Sequence, residues 1–167
     1  MRYITPQQYE KLTQIPRGRM AIRSKIYVGA LVIKEDKILL TKAKHSKYPG
    51  WQLPGGHVLW NEKFLDALVR EVLEETGLEI KPLNIVCFSQ RETKEDEEEF
   101  LRIIYLVKKI KKKDIKLDEN IKESKWFKIA DVTSKKVDLQ SEIIRKEIKD
   151  YTDGKTYPLE LLNTYVW

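Results

Sequence analysis

The stretch GGHVLWNEKFLDALVREVLEETGL, residues 55–78, constrains the fold more than any other part of the chain. It opens on a Pro-Gly-Gly turn. Across residues 62–76 the apolar side chains Phe64, Leu65, Leu68, Val69, Val72 and Leu73 recur every three or four positions, and Gly77 follows. That spacing predicts a helix with one apolar stripe and a glycine stop. Such a stripe needs a surface to bury against, and the preceding residues supply one. Residues 26–33 (IYVGALVI) are apolar and rich in β-branched side chains, which predicts a strand buried on both faces. The polar turn KEDK and a second apolar run over 38–41 complete a hairpin. Residues 51–53 predict a further short strand, broken at Pro54-Gly55-Gly56.

Strands are expected at about 78–90 and 100–107, and another over 126–129. Residues 138–149 are amphipathic, with Leu139, Ile143, Ile144 and Ile148 on one face. Residues 1–24 read as a leader packed on the domain. In it, Thr5-Pro6 caps a short helix over 6–14 that Pro16 and Gly18 stop. Residues 25–150 form the domain and 151–167 a tail. The tail is apolar enough to dock on the domain or on a second subunit, which would give a homodimer. There is no internal repeat, and 167 residues suit one well-cored domain.

Charge narrows the function classes. Charged residues make up 35% of the chain against 41% hydrophobic, mixed in sign, which argues against global disorder. No apolar run approaches the roughly 18 residues that span a bilayer, so no membrane partner is expected. The N-terminus lacks an apolar signal core, and the lone cysteine, Cys87, sits in the apolar run LNIVCF as an inert thiol. A cytoplasmic protein is therefore expected. The net charge of +6 suits nucleic acid or an anionic small molecule. Residues 92–99 carry six acids against one lysine, and 108–116 six lysines against one aspartate, a pattern usual for solvated loops and hairpin ends.

The chemistry lies on the 62–76 helix. At about 100° per residue, Arg70, Glu71, Glu74 and Glu75 share an arc of about 140° away from the apolar positions. Each like-charged pair three or four residues apart costs about 0.2–0.5 kcal/mol. Glu74 and Glu75 also occupy the last turn, where the helix dipole disfavours acids. A hard divalent cation removes that objection, and the Pro-Gly-Gly turn lets main chain approach a ligand. Lysines at 42, 44 and 47 suit phosphate. Metal-assisted chemistry on a phosphorylated substrate is the physical reading.

The segment also resembles the Nudix box, G-x5-E-x7-R-E-U-x-E-E-x-G-U, where U is a bulky aliphatic. Gly56, Glu62, Arg70, Glu71, Val72, Glu74, Glu75, Gly77 and Leu78 match every defined position. A chance match at one start is roughly one in 10⁹ at ordinary residue frequencies. The likeness extends over about residues 24–130. It implies an α/β fold, the Nudix α/β/α sandwich around a mixed β-sheet, and cleavage of a nucleoside diphosphate linked to another group. It further implies that Glu74 and Glu75 ligate Mg²⁺ or Mn²⁺, with Glu71 as ligand or base and the Gly55 carbonyl in the metal shell. Arg70 would orient the glutamates, Glu62 would anchor the loop to the helix, and Gly56 and Gly77 would be structural.

A later carboxylate is expected to join the metal or act as base, with Glu119 and Glu123 the candidates and Glu97, Glu98 and Glu99 behind them. Lys44, His45 and Trp51 are candidates for substrate contact, while His57 and the other tryptophans read as exposed loop and core or rim. LPGGHV is similar to members that convert (deoxy)nucleoside triphosphates to monophosphate and pyrophosphate. ADP-ribose hydrolases of the family often carry a proline about fifteen residues past the box; here Arg91, Glu92, Thr93 and Lys94 stand there, which points away from ADP-ribose. An ADP-ribose or nucleotide-sugar hydrolase is the alternative within the family. A non-catalytic nucleotide- or RNA-binding module is the alternative outside catalysis, but such modules usually lose box glutamates, so nucleic acid is not the expected partner. An isoprenoid diphosphate isomerase would need a catalytic cysteine, whereas Cys87 falls in a predicted strand.

Overall fold

The computed structural model describes residues 25–91 and 100–162. The expected hairpin is β1 (Lys25–Lys34) and β2 (Lys37–Ala43), joined by a turn in which Glu35 takes φ 56°. Then come β3 (Gly55–His57), α1 (Phe64–Thr76), β4 (Leu78–Arg91), β5 (Phe100–Lys112) and β6 (Ile121–Lys128). A short α2 (Ile129–Thr133), α3 (Glu142–Thr152) and a 3₁₀ turn (Leu159–Leu161) close the described chain.

The strands make one sheet in the order β4-β5-β1-β2-β6, with β3 added to β1. β1 and β5 run parallel, and the other pairs are antiparallel, so the sheet is mixed. β1 divides its free edge between two partners. Ile33 and Lys34 pair with Ile38 and Lys37 of β2, while Tyr27, Val28 and Gly29 pair with His57, Gly56 and Gly55 of β3.

As its unbroken apolar sequence requires, β1 is buried on both faces. Val28, Ala30 and Val32 pack with Ala67, Leu68 and Val72 of α1. Leu31, on the other face, joins Val132 of α2 and Ile144 and Ile148 of α3. Each fully buried aliphatic of this kind contributes about 1.5–3 kcal/mol. Helices thus cover both faces, and the fold is an α/β/α sandwich. Among the described residues no helix is long and apolar enough to cross a membrane.

Four local expectations are corrected. Residues 51–53 form isolated bridges, Trp51 with Leu139 and Gln52 with Thr41, and the strand lies at Gly55–His57. The glycines expected to break the strand make it: at Gly55 (φ 149°) a Cβ would lie 2.1 Å from the Val28 carbonyl oxygen, so only glycine lets this strand close on β1. β5 runs to Lys112, so much of the lysine segment is strand paired with the start of β4, not loop. β6 is longer than expected because β2 pairs with it from Lys37 to Ala43. Glu62 lies before α1, not within it, since the helix starts at Phe64.

Beyond α3, Tyr157 exchanges main-chain hydrogen bonds of 2.7 and 2.9 Å with Ile85, and Leu159 and Leu162 pack on the α1-side core. The described part of the tail therefore docks on its own domain. The leader helix, the acidic segment with Glu97, Glu98 and Glu99, and residues 163–167 lie outside the described residues.

Candidate active site

Arg70 organises the exposed side of α1. Its Nε and Nη2 donate to Glu62 Oε1 and Oε2 at 2.7 and 2.9 Å, a fork on one carboxylate. Nη1 donates to Glu71 Oε1 at 2.8 Å and to Glu74 Oε2 at 3.3 Å, and Nη2 also reaches the His57 carbonyl at 3.2 Å. Glu62 accepts the Leu59 N–H at 2.9 Å. One guanidinium thus ties the loop after β3 to the helix. It holds the Glu62 carboxyl at about 2, well below the ordinary range.

Glu75 behaves differently from its neighbours. It is 6% exposed, and its Oε2 accepts from the Gly55 N–H at 3.1 Å and the Thr41 hydroxyl at 3.2 Å. Burial, with the Gly55 and Thr41 hydrogen bonds opposing it and the charges of Glu71 and Asp118 adding to it, pushes its carboxyl up to about 8. Glu71 is pushed up as well, again mainly by burial. The helical arithmetic explains the placement. Glu75 lies only about 20° around the axis from Leu68, so a helix that buries Leu68 carries Glu75 inward. The buried face of α1 is centred on Ala67, Leu68, Val72, Glu75 and Thr76, while Leu65, on the expected apolar stripe, stays 38% exposed.

Gly56 leaves the space that Glu71 fills. A Cβ there would sit 2.4 Å from the Glu71 carboxyl carbon. The clash falls on the far end of a flexible side chain, so Gly56→Ala is expected to fold with a near-native melting temperature. Activity should drop about 10–100-fold, because the carboxylate is displaced by about an ångström. Retained activity would show that the position of Glu71 is not critical.

The donor chemistry fits a hard divalent cation. The groups gathered here are carboxylates, and the costly burial of Glu75 beside Glu71 and Asp118 is what a bound cation offsets. Among the described residues no three acidic, histidine or cysteine side chains form a closed cage. Arg70 holds Glu71 and Glu74, while Glu75 turns to Gly55 and Thr41.

The distal candidates are placed elsewhere. Glu119 pairs with Lys116 and is largely exposed, and Glu123 stands on β6 opposite Lys42. Neither bonds to the Arg70 group. Asp118, which the sequence did not single out, is the later acid whose charge reaches Glu75, and its N–H caps the α1 carbonyl of Glu74 at 2.8 Å. Nothing in the local pattern of KLDEN marks Asp118 over Glu119; only the packing of that turn on the helix end does. Lys44 and His45 are exposed. Trp51 packs edge-on against Phe127 at 4.6 Å with Lys42 over its ring, and Trp126 packs on the core. Trp60, at the loop tip before α1, is 99% exposed.

The NUDIX domain family model matches residues 23–148. The curated protein Phosphatase NudJ of Shigella boydii is 26% identical over 143 residues, covering 85% of this chain and 92% of the relative. A NUDIX hydrolase from Nitrosomonas europaea superposes with a TM-score of 0.78 at 28% identity, covering 86% of this chain and 98% of that one. An ADP-ribose pyrophosphatase from Streptococcus suis shares the fold, with a TM-score of 0.60 at 19% identity over 80% of this chain and 95% of that one.

Proposed function

The chain belongs to the NUDIX domain family and is a hydrolase of pyrophosphate bonds, and on that premise we propose that it converts a (deoxy)nucleoside triphosphate to monophosphate and pyrophosphate. The observation that carries this reading is the intact carboxylate face of α1, with Glu75 buried against the Gly55 loop and Arg70 clamping Glu62, Glu71 and Glu74. Glu74, Glu75 and the Gly55 carbonyl would hold Mg²⁺ or Mn²⁺, with Glu71 beside them as the base. Such an ion neutralises anhydride oxygens and lowers the pKa of a bound water.

The chain's own groups supply the rest. Arg70 occupies Glu71 Oε1, and among the described residues no hydrogen bond is made to Oε2, which leaves that oxygen to take the proton of the attacking water. Water adds to phosphorus, its proton passes to Glu71, and the bond to the pyrophosphate oxygen breaks with its electron pair. Thr41 and the Gly55 N–H hold Glu75 in place through the step. Cys87 takes no part: it is half-buried, and burial pushes its thiol up to about 12, in keeping with a structural thiol.

The test is a panel of nucleoside triphosphates, nucleotide sugars, ADP-ribose and dinucleoside polyphosphates, with Mg²⁺ or Mn²⁺, ranked by kcat/KM. Triphosphates are expected to rank highest, giving pyrophosphate, and chelation should abolish turnover. A higher rank for ADP-ribose or a nucleotide sugar would move the assignment to that class. Pyrophosphate release at the wild-type rate by the doubly substituted Glu74→Gln/Glu75→Gln enzyme would sink it.

A further inference from the structure

On the α3 side of the sheet, across β1 and β3 from the carboxylates, lies a cavity of about 300 Å³ whose walls include Tyr27, Gln52, His57, Arg102 and Gln140. That is the lower end of the range for small-molecule sites and suits one ring system. The strand pleat joins it to the catalytic loop. Gly56 faces Glu71, and its neighbour His57 lines the cavity, ring-to-ring with Tyr27 at 6.1 Å. Adjacent residues of β3 thus border the carboxylates and the cavity.

Arg102 in this wall is unusual. Its side chain is 14% exposed and pairs with Glu147 of α3, itself 2% exposed. Nε and Nη2 donate to the two Glu147 oxygens at 2.7 and 3.0 Å, and the guanidinium lies 4.3 Å over the Tyr27 ring. A buried ion pair of this kind contributes little net stability compared with apolar side chains of the same size. Nη1 makes no hydrogen bond among the described residues, although it belongs to a side chain that lines the cavity. Glu147 cancels the charge of Arg102, and among the described residues no lysine lines the cavity, so these walls do not attract phosphate. What remains is a pair of fixed N–H donors beside an aromatic wall. They are satisfied by an uncharged oxygen acceptor and opposed by another donor. The Gln52 amide makes no side-chain hydrogen bond among the described residues and can adapt to either edge of a ring.

We propose that Arg102 determines the specificity of the hydrolase for its organic group, selecting a planar, uncharged ring that carries an oxo oxygen where adenine and cytosine carry an amino group. This rests on the reading of the adjoining carboxylates as a nucleotide hydrolase site. A guanidinium reads an oxo-purine edge by geometry that an exocyclic amine cannot match, and the expected discrimination is roughly 10–100-fold.

The experiment compares kcat/KM of the wild type for GTP and ITP against ATP, and for UTP against CTP, alongside calorimetric binding of GMP and AMP. The oxo members should lead by at least about tenfold, chiefly through KM. Arg102→Lys keeps a charge opposite Glu147 but loses the planar fork, and the GTP to ATP ratio should collapse towards one. If that variant does not fold, Arg102→Met/Glu147→Leu removes both charges together and should show the same collapse. Equal kcat/KM for oxo and amino members in the wild type overturns the inference, as does a folded variant that keeps the ratio. Tighter binding of GMP than AMP without turnover of any nucleotide would overturn the hydrolase reading and leave this one standing.

Discussion

Glu75→Gln is expected to lower kcat by about a thousandfold or more. Glu75 is the one carboxylate of the α1 group that the fold buries, and its position is set by Gly55 and Thr41 from two different strands. Glutamine keeps the shape and loses the charge. The same substitution has a second signature that a purely structural residue would not show. A carboxyl whose folded value, about 8, lies above its ordinary value stabilises the protein fully only below that ordinary value. The contribution is lost as pH rises through about 8, because the unfolded chain ionises freely while the folded site resists. Metal-free wild type should therefore melt at a lower temperature at pH 8 than at pH 5. Glu75→Gln should remove this component and melt higher than wild type at pH 8, with little difference at pH 4. Thermal melts in chelator across that range, beside single-turnover rates, check both halves. A variant that is active, or whose melting follows pH as the wild type does, would refute the role given to Glu75.

Arg102→Ala is expected to cost about 3–5 kcal/mol, because it strands the Glu147 charge inside the protein. For a domain of this size that is a fall of roughly 10 °C in Tm. Most of the loss is the penalty for an unpaired buried charge rather than the strength of the pair. Arg102→Met/Glu147→Leu should accordingly recover most of it. Thermal unfolding at pH 7 decides. A single variant that melts with the wild type would mean that Glu147 is neutralised in some other way.

Much of the fold was legible because several segments repeat a pattern that only one element satisfies. The apolar run of β1 could be buried only on both faces, and the 3.6-residue stripe ending at Gly77 could only be a helix stopped there. Gly77 takes φ 70° and donates its N–H to Leu73, as a left-handed cap must. Spacing alone placed Arg70, Glu71, Glu74 and Glu75 on one helix face, and the resemblance to the Nudix box named the rest. Spacing was silent wherever a partner distant in sequence makes the choice. Gly55 and Gly56 read as a strand breaker, yet they form β3 because β1 lies against them at a distance only glycine tolerates. The lysines after Val107 read as a solvated end, yet they extend β5 because β4 offers a complete edge. Arg102 and Glu147 are 45 residues apart, and nothing local links them.

The carboxylate face between Gly55 and Leu78 shows the division most clearly. The sequence by itself determined which acids stand on the helix, since a fixed turn of about 100° per residue is a property of the backbone. Only the tertiary structure decided that they differ. α1 rotates to bury Leu68 against the sheet, and Glu75 turns inward with it, while Arg70 holds a half-buried Glu71 and an exposed Glu74. Burial is a relation between elements rather than a property of one, and it grades the acids of one helix from the desolvated Glu75 to the exposed Glu74.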